Sequence, residues 1–512
     1  MTNCRSILVV TIVVLLAAAC FHRVQRTLTD PSGAGTLDAR SPYLKAHLRS
    51  GYVYVLTEWH VDSASGSVRG RGRLLDPNRQ PVGEGEFLLP RDSVALFETN
   101  VMRRTGATTA LTVMAGVTAV VAGICAASPK TCFGSCPTFY VPDSAGESLQ
   151  AEGFSSSIAP GLEATDVDML YLARPRGRDF VVRMTNEALE THVIRWADVL
   201  AAPRPEGGRV FVTPGGEFRA ATVIGPPARC TAEDGDCEAA VWRFDGIERS
   251  SRADSVDLAA REWIELQFDN VPRGDLGLII TSRQTLLTTF LIYQALAYMG
   301  SEAGRWLSAI EAGGPAARDR AGALGRALGR IDVLVQDSAA GWTIVGSAGE
   351  TGPLARDTKV VPFSAQRAGT LRLRLRLTRG LWRLDYVALA SLGSTVQPVR
   401  LHPRVVRRDG REDPEALAAL LDTARVLTTF PGDAYQIEYR LPPDVGRSEL
   451  FLEARGYYLE WMRREWMAEE NQLLATQLLL NPERALRQLA PSFKQLEPSM
   501  DRLFWNSRYA RH

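Results

Sequence analysis

Apolar and polar residues alternate with period two through most of this chain. TLRLRLRLTRG, residues 370 to 380, is the clearest case. Side chains alternate across a strand, so Leu371, Leu373, Leu375 and Leu377 must face a core. Arg372, Arg374 and Arg376 then share the opposite face. IDVLVQDS, GWTIVG, KVVPFS and LWRLDYVALAS carry similar patterns and join this strand in a predicted β-sandwich over 331–456. Upstream, YLKAHLRSGYVYVLTEWHVD, GRGRLLD and GEGEFLLP are short alternating runs separated by glycine turns. They predict a small antiparallel meander over 41–105. DFVVRMTNE, GRVFVTPGG, AAVWRFDG and EWIELQFDNVP predict strands in a β-rich domain over 129–282, and LGLIITSR a buried one.

Helical spacing takes over in two places. RQTLLTTFLIYQALAYMGSEAGRWLSAIEA opens a helical segment over 283–330, looser after residue 312. GYYLEWMRREWMAEENQLLATQLLL begins a helical C-terminus over 457–512, broken at Asn481-Pro482. Between them, REDPEALAALLDTA predicts a helix capped by Asp413 with Pro414 in its first turn. The expected fold is therefore mainly β and multidomain. It combines a small antiparallel β-domain, β-sandwich domains, an apolar helix and a helical C-terminal tail.

The apolar helix is the uncharged run 107–127, within an expected segment 106–128. It is long enough for a bilayer, yet Leu111, Val113, Val117, Val120, Val121 and Ile124 together supply only roughly −2 to −3 kcal/mol of insertion energy. A membrane span and a buried small-residue helix both remain open. Arg103 and Arg104 before the run, with only Lys130 after it, disfavour a crossing from outside to inside.

The N-terminus bears on location. Arg5 precedes ILVVTIVVLLAAAC, an apolar core closing on small residues, which reads as a signal over 1–20. Ala17-Ala18-Ala19-Cys20 resembles a bacterial lipobox, which makes Cys20 the lipidation candidate. Phe21 in place of aspartate resembles outer-membrane sorting. A tether is expected over 21–40. The expected location is the bacterial envelope, as an outer-membrane lipoprotein facing the periplasm or the exterior. Its membrane contact would be the lipid anchor, joined by 107–127 if that run spans.

Composition narrows the partners. A net charge of +1 over 512 residues provides no field for nucleic acid, and none is expected as a partner. Lysine occurs only at positions 45, 130, 359 and 494, so the basic residues are nearly all arginine.

Seven cysteines are present. Beyond Cys4, Cys20 and the apolar Cys125, four remain: Cys132, Cys136, Cys230 and Cys237. An even count in an exported chain predicts disulfides. Local pairing, 132 with 136 and 230 with 237, is the simplest, and crossed pairing stays open. CFGSCP also resembles the CxxxCP motif of Sco-type copper proteins, with His192 as the nearest downstream third ligand. The β-rich flanks do not fit the thioredoxin-like fold of that family.

Other chemistry is sparse. Glu233, Asp234, Asp236 and Glu238 crowd one loop without the spacing of a calcium loop, and Asp166 with Asp168 is a weaker cluster still. The six histidines have no metal spacing, and neither HExxH, GxSxG nor a phosphate-cradling glycine loop occurs. No catalytic residue, metal site or cofactor is assigned. Arg372, Arg374 and Arg376 are the binding candidates, able to hold an anionic glycan or phosphate or else to form a solvated face.

CPTFY, FSSSIAPGLEATDVDML and FVVRMTNEALETHVI, with GWTIVGSAGETGP through LWRLDYVAL and later GYYLEW, together resemble a group of uncharacterised exported β-rich bacterial proteins. The likeness covers most of 130–470 and implies no catalytic role. Residues 331–392 are also similar to galactose-binding-like domains. The function expected is a non-enzymatic binding or scaffolding protein of the envelope, with a glycan or protein partner. A glycan-binding or glycan-processing protein is the first alternative, with Trp342 and Trp382 as candidates whose default is core packing. A thiol-metal protein is the second.

Overall fold

The computed structural model describes residues 23–29, 31–48, 52–62, 65–75, 81–103, 136–144, 146–175, 177–336, 341–349, 351–443, 445–460, 466 and 468–508. Cys20, Cys132 and the run 107–127 lie outside them. The chain divides into two compact units, Met1–Gly123 and Ile124–His512. Strands make up 48% of it and helices 23%, which is the mainly β, multidomain fold that the alternation predicts. Among the described residues no helix is long and apolar enough to cross a membrane.

The first unit holds a six-stranded antiparallel sheet. Its order is Arg23–Thr29, Val94–Arg103, Leu44–Leu48, Val53–Val61, Val68–Leu75, Pro81–Leu89. The segment expected as a tether thus supplies Arg23–Thr29 as an edge strand, because its backbone pairs residue for residue with Phe97–Arg103. Leu44, Ala46, Leu56, Val68 and Phe97 form the core of this unit. Its GRGR stretch has a steric purpose. A Cβ on Gly72 would sit 2.0 Å from the Val55 carbonyl oxygen, and one on Gly70 would sit 2.5 Å from that of Glu58, where the register shifts.

The second unit is a stack of sheets. The outermost layer on one side runs Arg411–Glu412, Val405–Arg408, Ala434–Arg440, Asp179–Thr185, Thr138–Pro142, Glu147–Glu152. The next is built on the long antiparallel pair Glu190–Pro203 and Ser448–Glu460, flanked by Val399–Leu401 and Ala164–Met169. Phe139, Phe180, Val182 and Ile437 of the first layer meet Ile194, Val199, Leu452 and Ala454 of the second in one core. A third sheet, Arg209–Val212, Phe218–Gly225, Trp382–Thr395, Gly274–Gln284 and Asp357–Ala365, closes on itself through a parallel contact between Val212 and Lys359. Leu200, Ala202 and Phe451 pack onto its Ile279, Val360 and Ala388.

The last layer runs Gly235–Asp236, Arg229–Ala232, Arg261–Val271, Gly369–Thr378, Ile331–Gln336, Trp342–Ala348. Its Ile264, Leu266, Leu373, Leu375 and Leu377 share a core with Leu278, Ile280, Leu384 and Leu389 of the third sheet. Helices Leu287–Met299, Gln472–Leu480 and Pro482–Asn506 extend that core through Phe290, Leu478, Leu486 and Phe493.

Two segments depart from their sequence patterns. AAVWRFDG begins within the short helix Glu238–Val241, and of its residues only Trp242 makes a bridge, to Tyr386. Tyr457 and Tyr458, expected to open the C-terminal helix, end the strand Ser448–Glu460. Their backbone pairs with Val193 and His192, and this long ladder overrides the local spacing. The predicted cap holds, Asp413 accepting from the N–H of Ala416, and at the predicted break Asn481 caps the following helix by accepting from the N–H of Arg484.

Candidate functional site

The outer face of the last sheet gathers the residues that the arginine ladder introduces. Strand Gly369–Thr378 lies between Arg261–Val271 and Ile331–Gln336. Its leucines point inward, with Leu373, Leu375 and Leu377 fully buried. Alternation then sends Arg372, Arg374 and Arg376 outward beside the same-face residues of the neighbouring strands. The register sets Arg376 opposite Trp263 and Asp332, Arg374 opposite Glu265, and Arg372 opposite Gln267.

Arg374 lies between two indoles. Its guanidinium carbon is 4.2 Å from the ring centre of Trp342 and 4.9 Å from that of Trp263, and it donates from Nη2 to Glu265. Arg376 is 5.9 Å from the Trp263 ring and donates to Asp332 Oδ2 from Nε at 2.9 Å and from Nη2 at 2.7 Å. Trp263 and Trp342 are half-buried, while Ile344 on the adjoining strand is 51% exposed. Arg372 is exposed and has no acidic partner among the described residues. The face thus carries two half-buried indoles partly covered by the Arg374 and Arg376 guanidinium groups, two carboxylates that pair with those groups, and an open arginine. Such groups recognise sugar rings by stacking, hydroxyls by hydrogen bonds and acid groups by guanidinium forks.

The other sequence candidates fall elsewhere. Trp382 follows its default of core packing and is absent from this face: it is 1% exposed in the core between the last two sheets, because its strand turns it inward beside Leu384. Cys230 and Cys237 form a disulfide, the local pairing of the two considered. The bond closes the acidic loop, whose side chains are engaged. Asp234 pairs with Arg249 at 2.9 Å, Glu233 with Arg379 at 3.2 Å, and Asp236 accepts from the N–H of Glu238. Cys136 is buried, and that burial, with the charges of Glu152 and Glu190, raises its pKa well above the ordinary thiol value. His192 is fully buried with Nε2 2.7 Å from Glu190 Oε1. Among the described residues no group of three or more His, Cys, Asp or Glu is placed to hold a metal ion.

Asp168 belongs to a buried network that sequence reasoning missed. Glu152, Asp168 and Asp357 come from three different sheets and are each no more than 5% exposed. Lys359 donates from Nζ to Asp357 Oδ2 and to the Val167 carbonyl, both at 2.6 Å. Burial opposes the Lys359 charge, but Asp357, Asp166 and Asp168 outweigh it and raise its pKa. Burial also pushes Glu152 up to about 7 and Asp168 well above the usual carboxylate range. The network ties sheets together.

Sequence reasoning also missed Trp263, Glu265 and Asp332. The alternation in EWIELQFDN does place Trp263 and Glu265 on one face. It does not show that this face adjoins the arginine ladder. No family model matches the chain, and no curated protein matches it significantly.

Proposed function

We propose that this chain is an exported binding protein, anchored at the outer membrane through acylated Cys20, and that its last sheet takes an acidic glycan. The observation that carries the ligand class is Arg374 stacked between Trp263 and Trp342, with Arg372 open beside it. Half-buried indoles on a sheet face suit flat sugar rings. Arg372 is the free partner for a uronate carboxylate, and Glu265 and Asp332 are acceptors for hydroxyls. The likeness of 331–392 to galactose-binding-like domains agrees with this class. The Cys230–Cys237 disulfide accords with an oxidising compartment, and the AAAC end of the apolar N-terminal run with lipidation.

Calorimetric titration with tetragalacturonate and with neutral cellotetraose tests the ligand. The acidic oligosaccharide is expected to bind, with Arg372→Gln weakening it by about tenfold through loss of a charge-assisted contact. Binding of neither sugar, or equal binding by the variant, overturns the reading.

A further inference from the structure

A second site lies on a different part of the same unit. A cleft of about 650 Å³ is bordered by Arg204 just past strand Glu190–Pro203, the start of strand Ser448–Glu460 and the chain from Leu170 to Arg174. Among the described residues four arginines line it, Arg174, Arg178, Arg204 and Arg209, against one acid, Glu449. The imbalance matters in a chain whose charges otherwise nearly cancel.

The arginines play unequal parts. Arg209 forms a two-pronged pair with Glu449, at 2.9 and 3.0 Å, and its guanidinium lies 4.1 Å from the centre of the Tyr171 ring. Tyr171 is itself stacked on Phe244, at 4.3 Å and 12°. Arg204 adds a 3.5 Å contact to Glu449. This wall is therefore fixed before any ligand arrives, and Glu449 is already satisfied. Arg174 and Arg178 differ. Each is exposed and tethered by one hydrogen bond to a backbone carbonyl, Ala173 at 2.9 Å and Leu441 at 3.0 Å respectively. Neither has an acidic partner among the described residues. A guanidinium has five N–H donors, so most of theirs are uncommitted.

We infer that this cleft is a binding site for a small molecule bearing two or more oxyanion groups, carboxylate or phosphate. Its volume falls in the range of small-molecule sites. Guanidinium forks match the geometry of those groups better than an ammonium would. A pair of uncommitted arginines beside a pre-set arginine–tyrosine wall selects a multivalent anion over a single acid group. The inference uses none of the residues of the outer sheet, so it stands or falls apart from the glycan reading.

Isothermal titration of the full chain with pyrophosphate and, separately, with citrate tests it. At least one probe is expected to bind with one-to-one stoichiometry. Arg174→Gln/Arg178→Gln should weaken that binding by about tenfold or more, since two charge-assisted partners are lost. Both residues are exposed, so the variant should keep its fold, which circular dichroism checks. Arg372→Gln, on the outer sheet, should bind the probe as the wild type does. Binding of pyrophosphate alone identifies a phosphate-bearing ligand, and of citrate alone a polycarboxylate. Lack of binding by both probes, unchanged affinity in the double variant, or an equal loss in Arg372→Gln overturns the assignment.

Discussion

Glu152 Oε2 accepts a hydrogen bond from the backbone N–H of Leu354 at 2.8 Å, across 202 positions of sequence. The contact pins the edge of the first layer to the loop leading into strand Asp357–Ala365. Gly352 lies so close that a Cβ there would be 2.2 Å from the Glu152 carboxyl. The carboxyl is buried deeply enough that its pKa rises from 4.5 to about 7, with Asp166 adding to the shift and the Leu354 and Ala355 N–H groups and Arg283 opposing it.

A raised carboxyl pKa makes the folded state hold its proton more tightly than the unfolded chain does. The contribution is fully present below the unfolded value of 4.5 and is lost as pH rises through about 7. Over that window this group alone should remove up to about 3 kcal/mol. Glu152→Gln keeps an acceptor for Leu354 and cannot ionise. It should flatten stability between pH 5 and pH 8, and be the more stable protein at about pH 8. Urea midpoints across that range check this, and a slope identical to wild type would count against it.

The arginine ladder should divide by environment. Arg372 is exposed and has no acidic partner among the described residues, so Arg372→Ser should change stability by no more than about 0.5 kcal/mol. Arg374→Ser removes a guanidinium held between two indoles and paired with Glu265. Its cost should be about 1 kcal/mol or somewhat more, mostly lost stacking. Arg376→Ser should fall between them, since its partner Asp332 is partly exposed. Equal urea midpoints for all three would mean that the stack has no energetic consequence.

Cys230 and Cys237 should be oxidised in intact cells. The disulfide closes a short loop, and removing such a link costs about 2 kcal/mol in the chain-entropy account. Acid-trapped cells treated with a maleimide mass tag should show these two positions labelled only after reduction. Labelling before reduction would contradict export to an oxidising space. In the same cells, palmitate labelling should be lost in Cys20→Ala, and equal labelling of both proteins would remove the lipid anchor from the proposed function.

Local physics made part of this protein legible in its sequence. Strand Gly369–Thr378 follows from leucine–arginine alternation alone, because a side chain on a strand has only two faces to choose between. The cap at Asp413, the break at Asn481-Pro482 and the short disulfide loop depend on residues within a few positions of one another, where sequence spacing already fixes the distance.

Tertiary structure decided what required distant partners. Strand Glu190–Pro203 finds Ser448–Glu460 across roughly 250 residues, and that pairing carries Tyr457 and Tyr458 into a strand against their local spacing. In sequence Asp168 forms only a weak carboxylate cluster with Asp166, and the fold brings Glu152, Asp357 and Lys359 beside it from other sheets. Trp382 and Trp342 share a residue type, yet one is core and the other lies against Arg374 on an outer face. Periodicity determines which side of a strand a residue takes. Only sheet order and register determine what waits on that side, and both are set by the burial of whole faces against each other.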